Sequence, residues 1–500
     1  MEIKSFIVSI YFFANAIFVS AQIAGDYELN IDEARNDLYE LKETILETHQ
    51  NPFTYCTEEE FEEAFNLADS ALYDDIGIYR FASIAAQFMN VLRDSHTGID
   101  YQYLIDGYLS EDGRIPGLDI ITLNDGIYVV QDVENIVPVG SKLLKFNRVP
   151  IEEMSAAVYR VTLAEGNASI ATTRLKDALF PGIAPLFYEM LAWNLIEFMA
   201  PGDSMSTVIG YPAKTQKEWR KYNKENNVQA AVKKDNNFVD IDGVYQVQFI
   251  DSMDMAVLSV ASFAYKSEHH FNKSMKRIFE IINERSVSEV VVDLRENPGG
   301  RANRAEKLLA CLNVENVTMP SNIIMKQSTV SRDRMSRSTN RLSRLIMKVF
   351  LRNNESVKNF FRMEKLPIGA VDTIYYHYKN PIPKYAFKGK TELWINGRSA
   401  SASVIFASVF QKNKRGIILG ESCLGPPEGT WGNPAPYTLS ETWLEISLST
   451  VRLNTFNNFN NSGTPVLPDQ PVEIDQNILQ SGIDPYFLTK RKLQKAVANQ

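Results

Sequence analysis

Residues 290–300 read VVVDLRENPGG. Three β-branched residues in a row, bounded by Asp-Leu and then by Asn-Pro-Gly-Gly, describe a strand buried on both faces that ends in a tight turn. Gly299 and Gly300 let backbone approach closely at that turn. The same grammar repeats on either side. AVLSVASF (256–263) is a strand, and His270–Arg285 is a helix with Met275, Ile278, Ile281 and Ile282 on its apolar face. Downstream come a helix over Arg304–Leu312, a strand TELWIN (391–396), a helix over Ala402–Lys412 and a strand RGIILG (415–420). Alternating βα units with continuous apolar strands predict an α/β core around a mostly parallel sheet. Ligands of such sheets sit beyond the carboxyl ends of the strands, where both the Gly299-Gly300 turn and the Ser399–Ser403 turn fall.

The chain has 500 residues, enough for two or three cores, with 45% hydrophobic and 23% charged residues. Its net charge of −9 argues against nucleic acid as the main partner. Lys4, the apolar run Phe6–Phe18 and Val19-Ser20-Ala21 read as a signal peptide cleaved after Ala21. That implies export to the periplasm or the cell exterior. The competing reading is a retained anchor, for which the run is short. Cys56, Cys311 and Cys423 do not make a disulfide framework, and no cluster has metal-ligand spacing, so no cofactor or metal is expected.

The predicted divisions are 1–21 signal peptide, 22–110 helical region, 111–235 β-rich module with an insertion, 236–480 core and 481–500 tail. In the helical region Leu38, Leu41, Ile45 and Leu46 share a face, and Thr57 with Glu60 forms a capping box. A helix over Phe81–Leu92 delivers Ser95-His96. The β-rich module, with IYVVQDV (127–133) and KLLKFNRVPIEEM (142–154), is similar to a PDZ domain, which would hold an extended peptide on a strand edge. A β-rich insertion without a ligand fits the same pattern. An apolar helix is expected around Leu186–Met199 and an exposed polar stretch over Lys214–Asp235. Within the core, an insertion over 325–375 contains the basic amphipathic stretch 331–352. Its apolar stripe is Leu342, Leu345, Ile346, Val349 and Phe350, flanked by Arg341, Arg344, Lys348 and Arg352. Such a stretch docks on an anionic membrane or an acidic substrate, or forms a lid packed on its own protein; the lid is the expectation.

Three separated segments carry the residue types of acyl transfer. A serine hydroxyl needs a base within hydrogen-bond reach and donors aimed at the developing oxyanion. NGRSASAS (396–403) places Ser401 between two alanines at a strand-to-helix turn, with the N–H of Ala402 at the helix start as one donor. The Gly299-Gly300 turn offers a second. Of five histidines, His49, His269, His270 and His377 lie in helical or strand-like contexts, whereas His96 lies in a polar turn beside Ser95 and is the candidate base.

Asp94-Ser95-His96-Thr97, VVDLRENPGG and NGRSASAS, in that order, resemble the three blocks of the S41 serine peptidases, the tail-specific or C-terminal-processing proteases. GIILGESCLG (416–425) and SGTPVLPDQPV (462–472) resemble the segments that follow. The resemblance implies a crotonase-like (ClpP/crotonase) ββα core, an N-terminal helical region and a PDZ-like domain. It implies a peptidase acting on peptides or unfolded protein segments. The Ser-Lys style of the family is excluded, because Gly425 is followed by Pro426-Pro427 and Lys412 and Lys414 come too early. The tricorn-like style fits. It implies Ser401 as nucleophile, His96 as general base and Ser95 as the hydroxyl that orients the imidazole or a partner acid; the two turns themselves offer Gly299, Gly300 and Ala402 as the oxyanion hole. Val404 stands where the family often has Glu, and 457–462 holds no acid. The acid orienting His96 is therefore sought at Glu421, with Glu428 and Asp94 as alternatives; Glu421 also reads as a structural turn carboxylate. A non-catalytic binder of peptides or apolar ligands on the same scaffold is the competing function.

Overall fold

The computed structural model describes residues 26–225, 237–315, 320–351, 353–375, 381–456 and 462–498. The signal-peptide stretch 1–21, residues 226–235 of the polar stretch, Arg352, His377 and 457–461 lie outside the described residues.

The N-terminal region is helical, as the periodicity predicts: α1 (Ile31–Thr48), α2 (Glu58–Ser70) and α3 (Ile78–Met89). Thr57 accepts from the Glu60 N–H and Glu60 reaches back to the Thr57 N–H, which closes the expected capping box. Leu38, Leu41, Ile45, Phe61, Phe81 and Phe88 fill one shared core.

A mostly antiparallel module follows: β1 (Arg114–Pro116), β2 (Leu118–Leu123), β3 (Gly126–Asp132), β4 (Lys142–Phe146), α4 (Ile151–Val161), α5 (Ser169–Phe187), β5 (Trp193–Met199) and β6 (Thr207–Thr215). The strands order β1-β6-β5-β4-β3-β2, every pair antiparallel. The apolar helix expected around Leu186–Met199 is not formed. α5 ends at Phe187, and β5 alternates exposed Trp193 and Leu195 with buried Asn194, Ile196 and Phe198, which is a strand period.

The core sheet runs β7 (Phe238–Ile241), β8 (Tyr245–Ile250), β9 (Met255–Val260), β10 (Glu289–Asp293), with α6 (Glu268–Glu284) between the last two and α7 (Ala302–Cys311) after them. The insertion then contributes β11 (Asn322–Lys326), α8 (Thr329–Arg337), α9 (Arg341–Phe350), α10 (Glu355–Glu364) and β12 (Val371–Tyr375). β13 (Lys390–Ile395), α11 (Ala402–Lys412), β14 (Ile417–Gly420), β15 (Gly429–Gly432), β16 (Val451–Asn454), β17 (Gln470–Pro471) and α12 (Pro485–Ala498) complete the chain. The seven-stranded order is β7-β8-β9-β10-β13-β14-β17, with every pairing from β9 onward parallel. This is the mostly parallel sheet that VVVDL predicts. Val290 and Val292 pack with Leu308 and Phe406, on the side of α7 and α11, while Val291 packs with Trp394 and Tyr486 on the other side. The expected tail is part of that second layer. Tyr486 Oη donates to Ile395 O at 2.6 Å, and the buried Lys490 ammonium meets Glu289 and Glu392, each at 2.9 Å.

A small sheet, β12-β11-β16-β15, stands beside the core. It places Trp431 and Arg452 next to the N-terminal helices.

Candidate active site

β13 ends at Ile395, and the chain turns through 396–401 into α11. Ser401 is the N-cap residue, at φ 52° and ψ −116°. That region is costly for a residue with a Cβ, roughly 1–3 kcal/mol, and such strain clusters at functional turns. The neighbouring turn makes room for it. A Cβ on Gly299 (φ +101°) would lie 2.7 Å from Ser401 Cβ and 2.8 Å from the Ala402 nitrogen. Asn297, fully buried, ties the two turns together. Its Nδ2 donates to Val260 O, and its carbonyl accepts from Ala400 N–H at 3.0 Å and Ser403 Oγ at 3.0 Å.

The oxyanion assignment changes in one respect. The Gly299 N–H donates to Asn297 Oδ1 at 2.8 Å, so Gly299 supplies space rather than a donor. Among the described residues, the N–H groups of Gly300 and Ala402 have no hydrogen-bond partner and stay available, while the Gly299 and Gly300 turn is held by Phe263 N–H on Gly299 O.

His96 arrives from α3 through the turn at Asn90–Leu92 and Arg93, which takes φ 50°. Asp94, fully buried, organises this loop. Its Oδ1 accepts the His96 N–H at 2.8 Å, and its Oδ2 accepts Thr97 Oγ1 at 2.5 Å and faces His49 Nε2 at 3.2 Å. Burial alone would raise the Asp94 carboxyl, but the hydrogen bond and charge of His49, then His96, outweigh it and hold Asp94 below the usual carboxylate range. His49 ends α1 with its ring 4.2 Å from that of Trp431.

The carboxylate that reaches this group is Glu165, from the loop between α4 and α5. It is fully buried, and its Oε2 accepts both the Ser95 N–H and the Ser95 hydroxyl at 2.8 Å. With that hydroxyl donating to Glu165, the Ser95 oxygen accepts from His96 Nδ1 at 3.3 Å. The Nδ1 position is then the protonated one, and Nε2 keeps its lone pair. Burial lowers the His96 pKa against the opposing pull of Asp94, so the ring is neutral near pH 7. Burial, then the negative charge of Asp94, pushes Glu165 up to about 7, while Arg452 and the Ser95 hydrogen bonds oppose the rise. Glu165 Oε1 also accepts the Trp431 N–H at 3.3 Å and lies 3.8 Å from Arg452 Nη1.

Glu165 reaches the nucleophile segment through a glycine. A Cβ on Gly425 (φ +139°) would lie 3.1 Å from Glu165 Cγ and 3.6 Å from Val404 Cγ2. Leu424 N–H in turn bonds Ser399 O at 3.0 Å. The Ser95-His96-Glu165 group and the first turn of α11 therefore meet across Leu424-Gly425. Ser401 Oγ and His96 are not hydrogen-bonded to each other in this structure, and such contacts commonly tighten only around substrate.

Comparison with known proteins places this geometry. The family model for peptidase family S41 matches residues 254–475, which span both turns and Gly425. Residues 254–475 form a peptidase family S41 region. The chain is thus a serine-type peptidase, as the order of its motifs implies. Among solved structures, it is similar to mature CPAF complexed with lactacystin, at 13% identity over 93% of this chain and 98% of that one, with a TM-score of 0.63. A serine-to-alanine mutant of CPAF is similar at 14% identity over 94% and 97%, again with a TM-score of 0.63. These likenesses concern the fold. No curated protein matches the chain in sequence.

In this structure Glu421 is engaged away from His96. Its carboxylate takes three hydrogen bonds from the Arg174 guanidinium, at 2.7, 2.9 and 3.0 Å, and joins β14 to α5. Glu428 is likewise engaged, accepting the Gly463 N–H at 3.1 Å. His270 faces Asp242 at 3.1 Å, and His269 is exposed. Asp94, His96 and Glu165 offer ligand atoms within 4.8 Å of one another. The carboxylate oxygens are already taken by N–H, hydroxyl and cationic donors, so the cluster reads as a hydrogen-bond network rather than a metal site. Glu165, His49, Trp431 and Arg452 escaped the sequence reading. The one local signal was a carboxylate directly before Gly166, a residue at φ +57° where a Cβ would meet Gly463 O at 2.5 Å.

Proposed function

We propose that the chain is an exported serine endopeptidase that hydrolyses peptides or unfolded protein segments through an acyl-enzyme on Ser401. The observation that carries this reading is the chain of contacts from Glu165 through the Ser95 hydroxyl to His96 Nδ1, beside a strained serine at a helix start. His96 Nε2 takes the Ser401 proton as Oγ attacks the scissile carbonyl. The imidazolium that forms is held by Ser95 and Glu165 and by the nearby Asp94. The oxyanion of the tetrahedral intermediate is received by the N–H groups of Gly300 and Ala402. His96 then protonates the leaving amine, and a water activated by the same ring releases the acyl group. The core is read as crotonase-like and the antiparallel module as PDZ-like; capture of a chain end there would raise the local concentration of the scissile bond. Export rests on the apolar stretch before Ala21.

The test is mass spectrometry of products from unfolded protein and a peptide library, comparing the full chain with Ser401→Ala. Cleavage by the first and none by the second supports the peptidase. Cleavage by neither, with both folded, favours the peptide-binding reading.

A further inference from the structure

The lid expected at 331–352 is built inside out. α9 is capped by Asn340, whose Oδ1 accepts the Ser343 N–H at 2.8 Å. It packs on α10 through its cationic side. Arg344 pairs with Glu364 and lies 5.9 and 5.8 Å from the rings of Phe360 and Phe361, and Lys348 lies 5.2 Å from Phe361. The apolar stripe consequently faces outward. Leu342, Leu345, Ile346 and Val349 are 66%, 58%, 43% and 54% exposed, and Phe350 at the helix end is 79% exposed. No residue of α9 is buried among the described residues. A contiguous apolar face of this kind marks an interaction surface.

Charge selects the occupant. The stretch 331–352 holds seven basic residues against one acid, Asp333, in a chain of net charge −9. A second copy docking by two-fold symmetry would set this basic patch against itself. An anionic bilayer meets both features, taking the apolar side chains below the headgroups and the exposed Arg341 and Lys348 at headgroup level. We propose that α9 docks this protein on an anionic membrane surface. The attachment bears on the site. α8 is anchored to α1 by Thr329 N–H on Glu47 at 2.8 Å, and Arg334 donates to Asn433 O, one residue past β15 with its Trp431. Docking through α9 would thus hold the wall of the candidate active site at a fixed height above the lipid.

The experiment is co-sedimentation of the full chain with phosphatidylcholine vesicles, with and without phosphatidylglycerol, at low and high salt. Binding should need the anionic lipid and weaken with salt. Leu345→Ser with Val349→Ser, both at solvent-facing positions, should abolish it while leaving the circular dichroism unchanged. Arg341→Gln, at an exposed residue, should weaken it about fivefold. Pelleting with neutral vesicles alone, or persistent binding by the double serine variant, overturns the proposal. So does a dimer in sedimentation velocity that the double variant converts to monomer, or equal competition by polyglutamate.

Discussion

Glu165→Gln separates activity from stability at one position. Gln keeps the shape and removes the charge. In the wild type, Glu165 accepts two hydrogen bonds from Ser95 and so fixes the proton of His96 on Nδ1. A hydrogen bond to a charged group contributes roughly 1.5–3 kcal/mol, so kcat/KM in the variant should fall by about ten- to a hundredfold. The pH profile should change as well. Glu165 ionises at about 7, whereas the His96 pKa lies below its ordinary 6.5. The acidic limb of the wild type is therefore set by Glu165, and in the variant it should move to lower pH, where His96 alone governs it. Stability should move the opposite way. The folded pKa of about 7 is raised above the ordinary 4.5, so the stability contributed by the protonated form is complete below 4.5 and is lost as pH rises through 7. The difference of about 2.5 units corresponds to about 3 kcal/mol lost by the wild type and not by the variant. Glu165→Gln should thus gain on the wild type in denaturant midpoint between pH 5 and pH 8. Peptide-cleavage kinetics across pH and urea titrations at the two pH values read both effects. Retained activity with an unmoved acidic limb would refute the assignment of Glu165.

Further outcomes follow from the same geometry. Ser401→Gly should abolish cleavage yet raise the melting temperature above that of Ser401→Ala, because glycine relieves φ 52°, a strain of roughly 1–3 kcal/mol. Gly299→Ala, whose Cβ would collide with Ser401 Cβ and the Ala402 nitrogen, should lower kcat by at least about a hundredfold, the order of a lost oxyanion donor, in single-turnover assays. Glu421→Ala should cost about 3 kcal/mol in urea unfolding, since Arg174 loses its carboxylate, while kcat/KM of the folded protein stays within about twofold of the wild type.

The parts of the fold that speak in the sequence are those where local pattern and packing agree. VVVDL is apolar on both faces because β10 has neighbours on both edges and helices on both sides. The Thr57-Glu60 box and the α11 start are equally local. The apolar stretch Leu186–Met199 misled because its apolar density carries no period, and β5 buries Ile196 and Phe198 on one face while leaving Trp193 and Leu195 exposed. The same local logic pointed to Ser401, His96 and Ser95, each beside a turn or a helix start. It offered Glu421, with Glu428 and Asp94, and passed over Glu165, because position along the chain was the only guide to the acid. What decides between them is tertiary. Glu421 lies within reach of Arg174, and Glu165 lies under Gly425, against Ser95 and Trp431.

The origin of Glu165 has its own consequence. The acid sits on the loop between α4 and α5, in the antiparallel module, and that loop is pinned to both other parts of the molecule. Gly166 N–H bonds Arg93 O at 2.9 Å, one residue before Asp94, and Asn167 N–H bonds Gly463 O at 2.7 Å in the core. A shift of the module therefore moves the carboxylate relative to Ser95 and His96. A displacement of the order of 1 Å at such a contact is enough to cost about a hundredfold in rate. On the proposed mechanism, activity is tied to how the module sits on the core, and a ligand held on the module would act on His96 through Glu165.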